Sequence, residues 1–275
     1  MIDYRAMQNS SAAMNLKGRV LPPELKQLEE ALSHSGFNEN HDVEELAFAA
    51  FRAGNGDSTK IAGIAQGQFS IADILANFRK KKVKPTLIRT NKVYPMGSSG
   101  MLVSFLNPTT MVFGSSDAIK PVLDARDGIA PNFLSNDSMM SQMNSVDSEP
   151  LWSILDQKGT QFMMRSLLGQ ASQLADYDTV KKRMLGSSYT MSFNNGVKFK
   201  LNVMTTDTFT AATMSSLLNA AAMYEKVSGS AVEKQAIDST SINSSAGKLE
   251  VEFSASDSQF ASLLQSPLFQ NVVRN

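Results

Sequence analysis

The sequence predicts an α+β protein of two similar modules, each spelling β-α-β-β-α-β-β-α, with mainly antiparallel sheets and helices packed on one face. Three observations carry this. The run Ile61-Ala-Gly-Ile-Ala-Gln-Gly-Gln-Phe-Ser-Ile-Ala-Asp-Ile-Leu75 is echoed by Phe199-Lys-Leu-Asn-Val-Met-Thr-Thr-Asp-Thr-Phe-Thr-Ala-Ala-Thr213. In each copy an apolar strand ends at a polar capping residue and passes into an amphipathic helix. A later pair, Val112-Phe-Gly-Ser-Ser-Asp117 and Val251-Glu-Phe-Ser-Ala-Ser-Asp257, repeats a strand that runs into a helix start. Hairpin signals fill the intervals between helices, which favours antiparallel pairing.

In the first module, residues 1–128, the chain opens with a strand over 2–7, and a helix starts within 8–16. Pro22 and Pro23 interrupt it, and a second helix over 24–32 aligns Leu25, Leu28 and Leu32 before Gly36 stops it. Strands over 43–51 and 60–69 flank the turn-rich loop 53–58 and form a hairpin. Ser70 with Asp73 resembles a capping box, and Ile71, Ile74, Leu75 and Phe78 recur at helical spacing. Strands over 86–94, 101–106 and 110–113 follow, the first module holding one strand more than the second. A short helix after Ser116 carries Ile119, Val122 and Leu123 and closes near Gly128.

Residues 129–149 form a linker with a short helix around 138–143, and the second module covers 150–275. It opens with a strand over 151–155 and a helix over about 161–183, broken near Tyr177. Tyr189, Met191 and Phe193 then alternate into Asn195-Gly196, and Val197, Phe199, Leu201 and Val203 alternate out. Asn-Gly tolerates the positive φ angles of a type I′ turn, so this is a tight hairpin. A helix over 207–226, strands over 233–242 and 248–253, and a final helix bearing Phe260, Leu263 and Leu264 complete the module. Whether the two sheets join into one continuous sheet is left open by the sequence; such a join would remove exposed edges.

Composition bounds the chemistry. With 275 residues the chain is long enough for about two domains and a core that needs no staples. Hydrophobic residues make up 42% and charged residues 19%, the latter below the usual quarter, so Ser, Thr and Asn supply the polarity. Lys plus Arg and Asp plus Glu are 26 each, and the zero net charge argues against a nucleic-acid partner. The one basic run, Arg79 to Lys84, sits at a predicted helix C-terminus, where cations complement the dipole. With no cysteine, disulfides, thiolate metal sites and a cysteine nucleophile are all excluded. No run reaches the length of a membrane span, and no signal peptide follows Met1. An export segment upstream of Met1 is expected, together with an extracytoplasmic location.

Gly-Gln-Phe-Ser at 67–70, Val-Phe-Gly-Ser-Ser-Asp-Ala-Ile-Lys at 112–120 and Val-Leu-Asp-Ala-Arg-Asp-Gly at 122–128 resemble a group of uncharacterised, usually exported bacterial proteins built from a duplicated α+β domain. The resemblance covers the first half well and the second loosely. It implies a fold and an extracytoplasmic setting. It brings no catalytic residues.

Candidates for chemistry are few. His34 and His41 flank the loop 35–40 with Asp42 and Glu44 nearby, but a metal needs three or four converging ligands and no recognised spacing is present. No Gly-x-Ser-x-Gly elbow points to a serine nucleophile. Glu44-Glu45 and Glu250 with Glu252 are the acid pairs a glycosidase would use, yet Glu250 and Glu252 alternate with apolar residues as a solvated strand face does. Gly63 and Gly67 do not make a dinucleotide fingerprint, and Gly67 marks a strand end or bulge. No catalytic, cofactor or metal residue is therefore assigned. Trp152, Met139, Met140 and Met143 are the expected interaction surface, since flexible thioethers suit adaptable contacts. The leading expectation is a non-enzymatic binding or interaction protein of the bacterial cell envelope. The alternatives are a hydrolase with a carboxylate and histidine cleft between the modules, and a binder of small apolar ligands at their join. Partner identity and oligomeric state are not legible.

Overall fold

The protein is described by a computed structural model that covers residues 1–20, 30, 32, 37–52, 59–96, 100–169, 177–267 and 269. Two compact units emerge, residues 1–9 with 21–136 and residues 10–20 with 137–275. The chain begins with β1 (Ile2–Asp3), α1 (Tyr4–Gln8) and α2 (Ser11–Val20). Helix α2 belongs to the second unit, where Ala12 and Leu16 join Met191, Val197, Phe260 and Leu264 in one buried cluster.

The first unit continues with α3 (Glu39–Asp42), β2 (Val43–Arg52), β3 (Thr59–Gly67), α4 (Ile71–Lys80), β4 (Thr86–Ile88), β5 (Asn91–Met96), β6 (Met101–Asn107), β7 (Thr110–Ser115) and α5 (Ser116–Arg126). Its strands pair antiparallel in the order β1-β2-β3-β7-β6-β5-β4. Strand β7 has apolar residues pointing both ways, because successive side chains take opposite faces. Met111 and Phe113 join Ile74 and Phe78 of α4 in the main core. Val112 instead joins Ile119 and Leu123 of α5 in a smaller core on the reverse face. Asp124 ties that second layer down. Its carboxylate accepts from Arg89 at 2.8 Å and from Lys120 at 2.6 Å.

The second unit holds α6 (Asp137–Met143), β8 (Leu151–Leu155), α7 (Gln157–Leu168), α8 (Tyr177–Lys181), β9 (Met184–Ser192), β10 (Val197–Thr205), α9 (Thr208–Ser228), α10 (Ala231–Asp238), β11 (Thr240–Ser245), β12 (Lys248–Ala255) and α11 (Asp257–Leu263). Its strand order is β8-β9-β10-β12-β11, again antiparallel. Leu201, Val203 and Leu249 bury one sheet face against Met164 and Leu168 of α7 and Met214, Leu217 and Leu218 of α9. The other face is polar, with Lys200 opposite Thr190 and Glu252, and Asn202 opposite Ser188 and Glu250.

Several local expectations change. Residues 2–7 turn helical after Asp3, whose side chain caps the Ala6 N–H at 2.8 Å. The helix expected to start within 8–16 does so at Ser11, where the Ser10 hydroxyl accepts the Ala13 N–H. The single strand over 86–94 is broken by a tight turn at Arg89, with φ 55°, into β4 and β5. The long helix over 161–183 starts earlier, capped by Asp156, and ends at Gly169 with φ 49°; residues 170–176 lie outside the described residues. Residues 233–238 are helical rather than extended, since Ser230 and Glu233 form a full capping box before α10. Ser70 makes no side-chain cap, and Ser116 is the first residue of its helix rather than its cap; Ser115 holds the capping position, also without a side-chain bond. The 24–32 helix and the 53–58 loop fall mostly on residues outside the description.

Two glycines are explained by what stands over them. A Cβ on Gly63 would lie 2.2 Å from the Phe113 ring, and one on Gly67 would lie 1.8 Å from the Asp42 carbonyl oxygen. Beside Gly67 the β2–β3 register slips between Val43 and Glu45, which is the bulge the sequence suggests there. Phe113 also meets Phe48 edge-to-face at 5.9 Å. Phe113→Ala should therefore lower unfolding free energy by about 3–5 kcal/mol, and Gly63→Ala by about 1–3 kcal/mol. Urea denaturation of Gly63→Ala, Phe113→Leu and the two combined checks the coupling: the double variant should lose less than the sum of its two singles, because the smaller side chain vacates the space the new methyl needs.

Candidate interaction surface

The longest helix is aimed by one carboxylate. Asp207 accepts from the Thr210 N–H at 2.8 Å and from the Thr206 and Thr210 hydroxyls at 2.9 Å, with Arg183 at 3.3 Å. Donation from the Thr210 backbone is the largest of the effects that hold this carboxyl at about 2. The cap starts α9 two residues after β10 ends, so the helix folds straight back over the sheet.

One face of α9 buries Thr210, Ala211, Met214, Ser215, Leu217 and Leu218. The opposite face is apolar too. Phe209 is 75% exposed, Met223 71%, Tyr224 61% and Val227 82%. At 1.5 Å per residue, Phe209 and Val227 stand about 27 Å apart along the axis. Between them Ala212, Ser216, Asn219 and Ala220 are exposed, and residues 208–224 carry no charge. Glu225 and Lys226 are the helix's only charged residues, and the Lys226 ammonium is paired with Asp238 at 2.5 Å. Phe162, on the neighbouring α7, is exposed as well. Scattered exposed apolar residues are ordinary, but a file of them along one uncharged helix face is a patch.

The residues singled out from sequence occupy adjacent elements. Met139, Met140 and Met143 lie on α6, which packs against β8, the strand that carries Trp152. All four are half-buried. The face of α9 was not among them, although a seventeen-residue stretch without charge, 208–224, is a signal visible in the sequence.

Of the groups considered for chemistry, Asp42, Glu44, Glu250 and Glu252 are held in local contacts. His34 lies outside the described residues. His41 is exposed on α3, Asp42 accepts the Asn38 N–H at 2.7 Å, and Glu44 pairs with Arg5. Among the described residues no group of three His, Asp or Glu is placed to hold a metal. Glu250 and Glu252 face the polar side of the sheet, paired with Lys248 at 2.6 Å and Lys200 at 2.8 Å. The Lys248 hydrogen bond lowers the Glu250 pKa, and the Glu252 hydrogen bond raises that of Lys200. Glu250 is thereby held ionised, which is the wrong state for a general acid at neutral pH. Beside them an open groove of about 620 Å³ is lined by Thr190, Ser192, Lys198, Lys200, Glu252 and Ser254, among others.

No protein-family model matches the chain, and no curated protein matches it. Solved structures do. Crystal form I of TP0453, a bacterial protein, aligns with a TM-score of 0.50 at 12% identity, covering 96% of this chain and 90% of that one. Crystal forms III and IV give TM-scores of 0.49 and 0.48 at 12% and 13% identity, over 96% of this chain and 91% of theirs. At such identity the likeness to form I is one of fold.

Two carboxyls give the fold a defined acid limit. Asp124, through hydrogen bonds first from Arg89 and then from Lys120, and Asp207 are both lowered from 3.8 to about 2. A lowered folded-state pKa stabilises fully above the unfolded value and ceases to do so as pH falls through the folded one. Thermal midpoints should therefore fall as pH drops from about 4 toward 2, with a shallower slope in Asp207→Asn, measured by circular dichroism.

Proposed function

We propose that this protein is a non-enzymatic interaction protein of the bacterial cell envelope, built from a duplicated α+β module, that docks a protein partner on the outer face of α9. The observation that carries the reading is the charge-free, aromatic-ended outer face of that helix. A helix face of this kind fits an apolar groove or a second helix, read through residues spaced three, four and seven apart. Phe209 and Tyr224 are the sort of large side chains that dominate such contacts.

A protein partner suits the face better than a lipid surface does. Helices that lie on membranes set Lys and Arg around the apolar face to meet anionic headgroups. Here residues 208–225 contain neither, and Lys226 is already paired with Asp238. Among the described residues no helix is long and apolar enough to cross a membrane. The envelope setting rests on the resemblance of the 67–70, 112–120 and 122–128 motifs. Duplication is supported by two strand orders of one pattern, β1-β2-β3-β7-β6 and β8-β9-β10-β12-β11, in which the echoed segments fall on β3 with α4 and β10 with α9.

Site-specific photo-crosslinking in cells tests it. A photoreactive residue at position 209, 223 or 227 should give an adduct with one discrete protein, and the same group at position 198, on the polar face of the sheet, should not. Met223→Glu with Val227→Glu should reduce the adduct from position 209 by at least about tenfold while leaving the thermal midpoint unchanged. Adducts with lipid alone, or no adduct from any α9 position, would defeat the reading.

A further inference from the structure

Strand β11 ends the strand order of the second unit, and no described strand pairs with its outer edge. Natural edges are blunted by shortness, charge, proline or bulges. In the first unit, β4 has these devices: it is three residues long, is preceded by Lys80, Lys81, Lys82, Lys84 and Pro85, and is followed by Arg89 in a left-handed turn. Strand β11 has none of them. It is six residues long, runs in unbroken register with β12, and residues 239–247 contain no charge and no proline.

The geometry identifies which backbone groups face outward. Ser245 pairs with Lys248 across a two-residue turn, Ala246 at φ 49° and Gly247 at φ 77°, as in a type I′ hairpin. The pair flanking such a turn is hydrogen-bonded, and bonded pairs alternate with unbonded ones along an antiparallel ladder. Ser245, Asn243 and Ser241 therefore bond inward to β12, in phase with the Ser254 N–H that donates to the Ser239 carbonyl. Thr240, Ile242 and Ser244 turn their N–H and C=O groups outward, and no described strand pairs with them.

We propose that a second copy of this chain pairs with that edge, β11 against β11, antiparallel about a two-fold axis through Ile242. A two-fold axis sets each residue against a fixed counterpart, so any charge near the centre would meet a like charge. This strand carries none. Ile242 opposes Ile242 of the second copy, Thr240 opposes Ser244, and the outward groups exchange about six backbone hydrogen bonds. Ile242 lies opposite Val251 on the apolar side of the sheet, and both pack on the second unit's core. The two isoleucines thus meet beside existing apolar surface, while Ser241 and Asn243 meet on the polar side. The interface is small, so association is reversible and depends on concentration.

Sedimentation velocity of the full chain from about 1 to 200 µM should show monomer giving way to dimer. Residue-resolved hydrogen exchange should show the Thr240, Ile242 and Ser244 amides gaining protection with concentration, while Ser241 and Asn243 are protected throughout. Ser244→Pro removes an outward donor and leaves the ladder to β12 intact, and should weaken the dimer at least tenfold. Ile242→Lys, which sets two ammonium groups face to face, should do the same without proline. A chain that stays monomeric overturns the proposal. So does a dimer that survives both variants, or one whose outward amides exchange freely.

Discussion

A sheet with one apolar face cannot stand in water, and in this protein the covering helices are launched from the ends of the strands they cover. Helix α5 follows β7 directly, α7 and α11 follow β8 and β12 after one residue, and α9 follows β10 after two. At three of these junctions a short polar side chain accepts an N–H of the first helical turn: Asp156 from Gly159, Asp207 from Thr210 and Ser256 from Gln259. Capping decides where each helix starts, and a start so close to the strand decides its direction. Move the start of α9 by one residue and its faces rotate by about 100°, exchanging Met214 and Leu218 for polar neighbours. The core of the second unit and the outward face of its longest helix are thus consequences of the same cap.

The parts of the fold legible from sequence are those where local chemistry admits one solution. Asn195 and Gly196 both take positive φ and close a hairpin where the sequence places one, but Phe199 pairs with Met191 and Leu201 with Tyr189, which makes the loop three residues, 194–196, rather than the two of a type I′ turn. What sequence hides is competition between local signals. Residues 233–242 alternate well enough to read as a strand, but the reciprocal bonds of Ser230 and Glu233 satisfy two donors and start a helix first. Arg89 adopts a left-handed turn that no residue type advertises, and its guanidinium is held by Asp124, thirty-five residues away. Contacts of that range are set by the tertiary fold. The same limit applies to the surface: an Ala- and Leu-rich helix reads as buried all round until one knows which side the sheet occupies, so the exposure of Phe209, Met223 and Val227 was out of reach.

The charged side chains of the described residues are mostly committed to local partners. Asp124, Asp207, Glu250 and Glu252 each lie within hydrogen-bond distance of a cation or a backbone donor. In Asp124, Asp207 and Glu250 such partners favour the ionised form and lower the pKa, whereas proton transfer wants a group poised near the working pH. The ion pairs instead fix geometry. Asp124 binds the β4–β5 turn to α5 through Arg89 and Lys120, and Lys200 with Glu252 spans neighbouring strands on the polar face of the second sheet.

The low charged fraction, 19% of the chain, is not spread evenly. Residues 208–224 and 239–247 are free of charge, and both stretches lie at the surface of the second unit, one along a helix and the other along a sheet edge. Solubility alone would favour placing Lys and Glu in such positions, because charge keeps helices hydrated and edges apart. Ser, Thr and Asn appear there instead, residues that hydrogen-bond with water when exposed and with a neighbour when covered. A surface made this way tolerates both states, since desolvating a hydroxyl that finds a partner costs far less than desolvating an ammonium or a carboxylate. The low charge is thus concentrated on two surfaces whose polar side chains can bond with water or with a neighbour, which is the property the proposed contacts require.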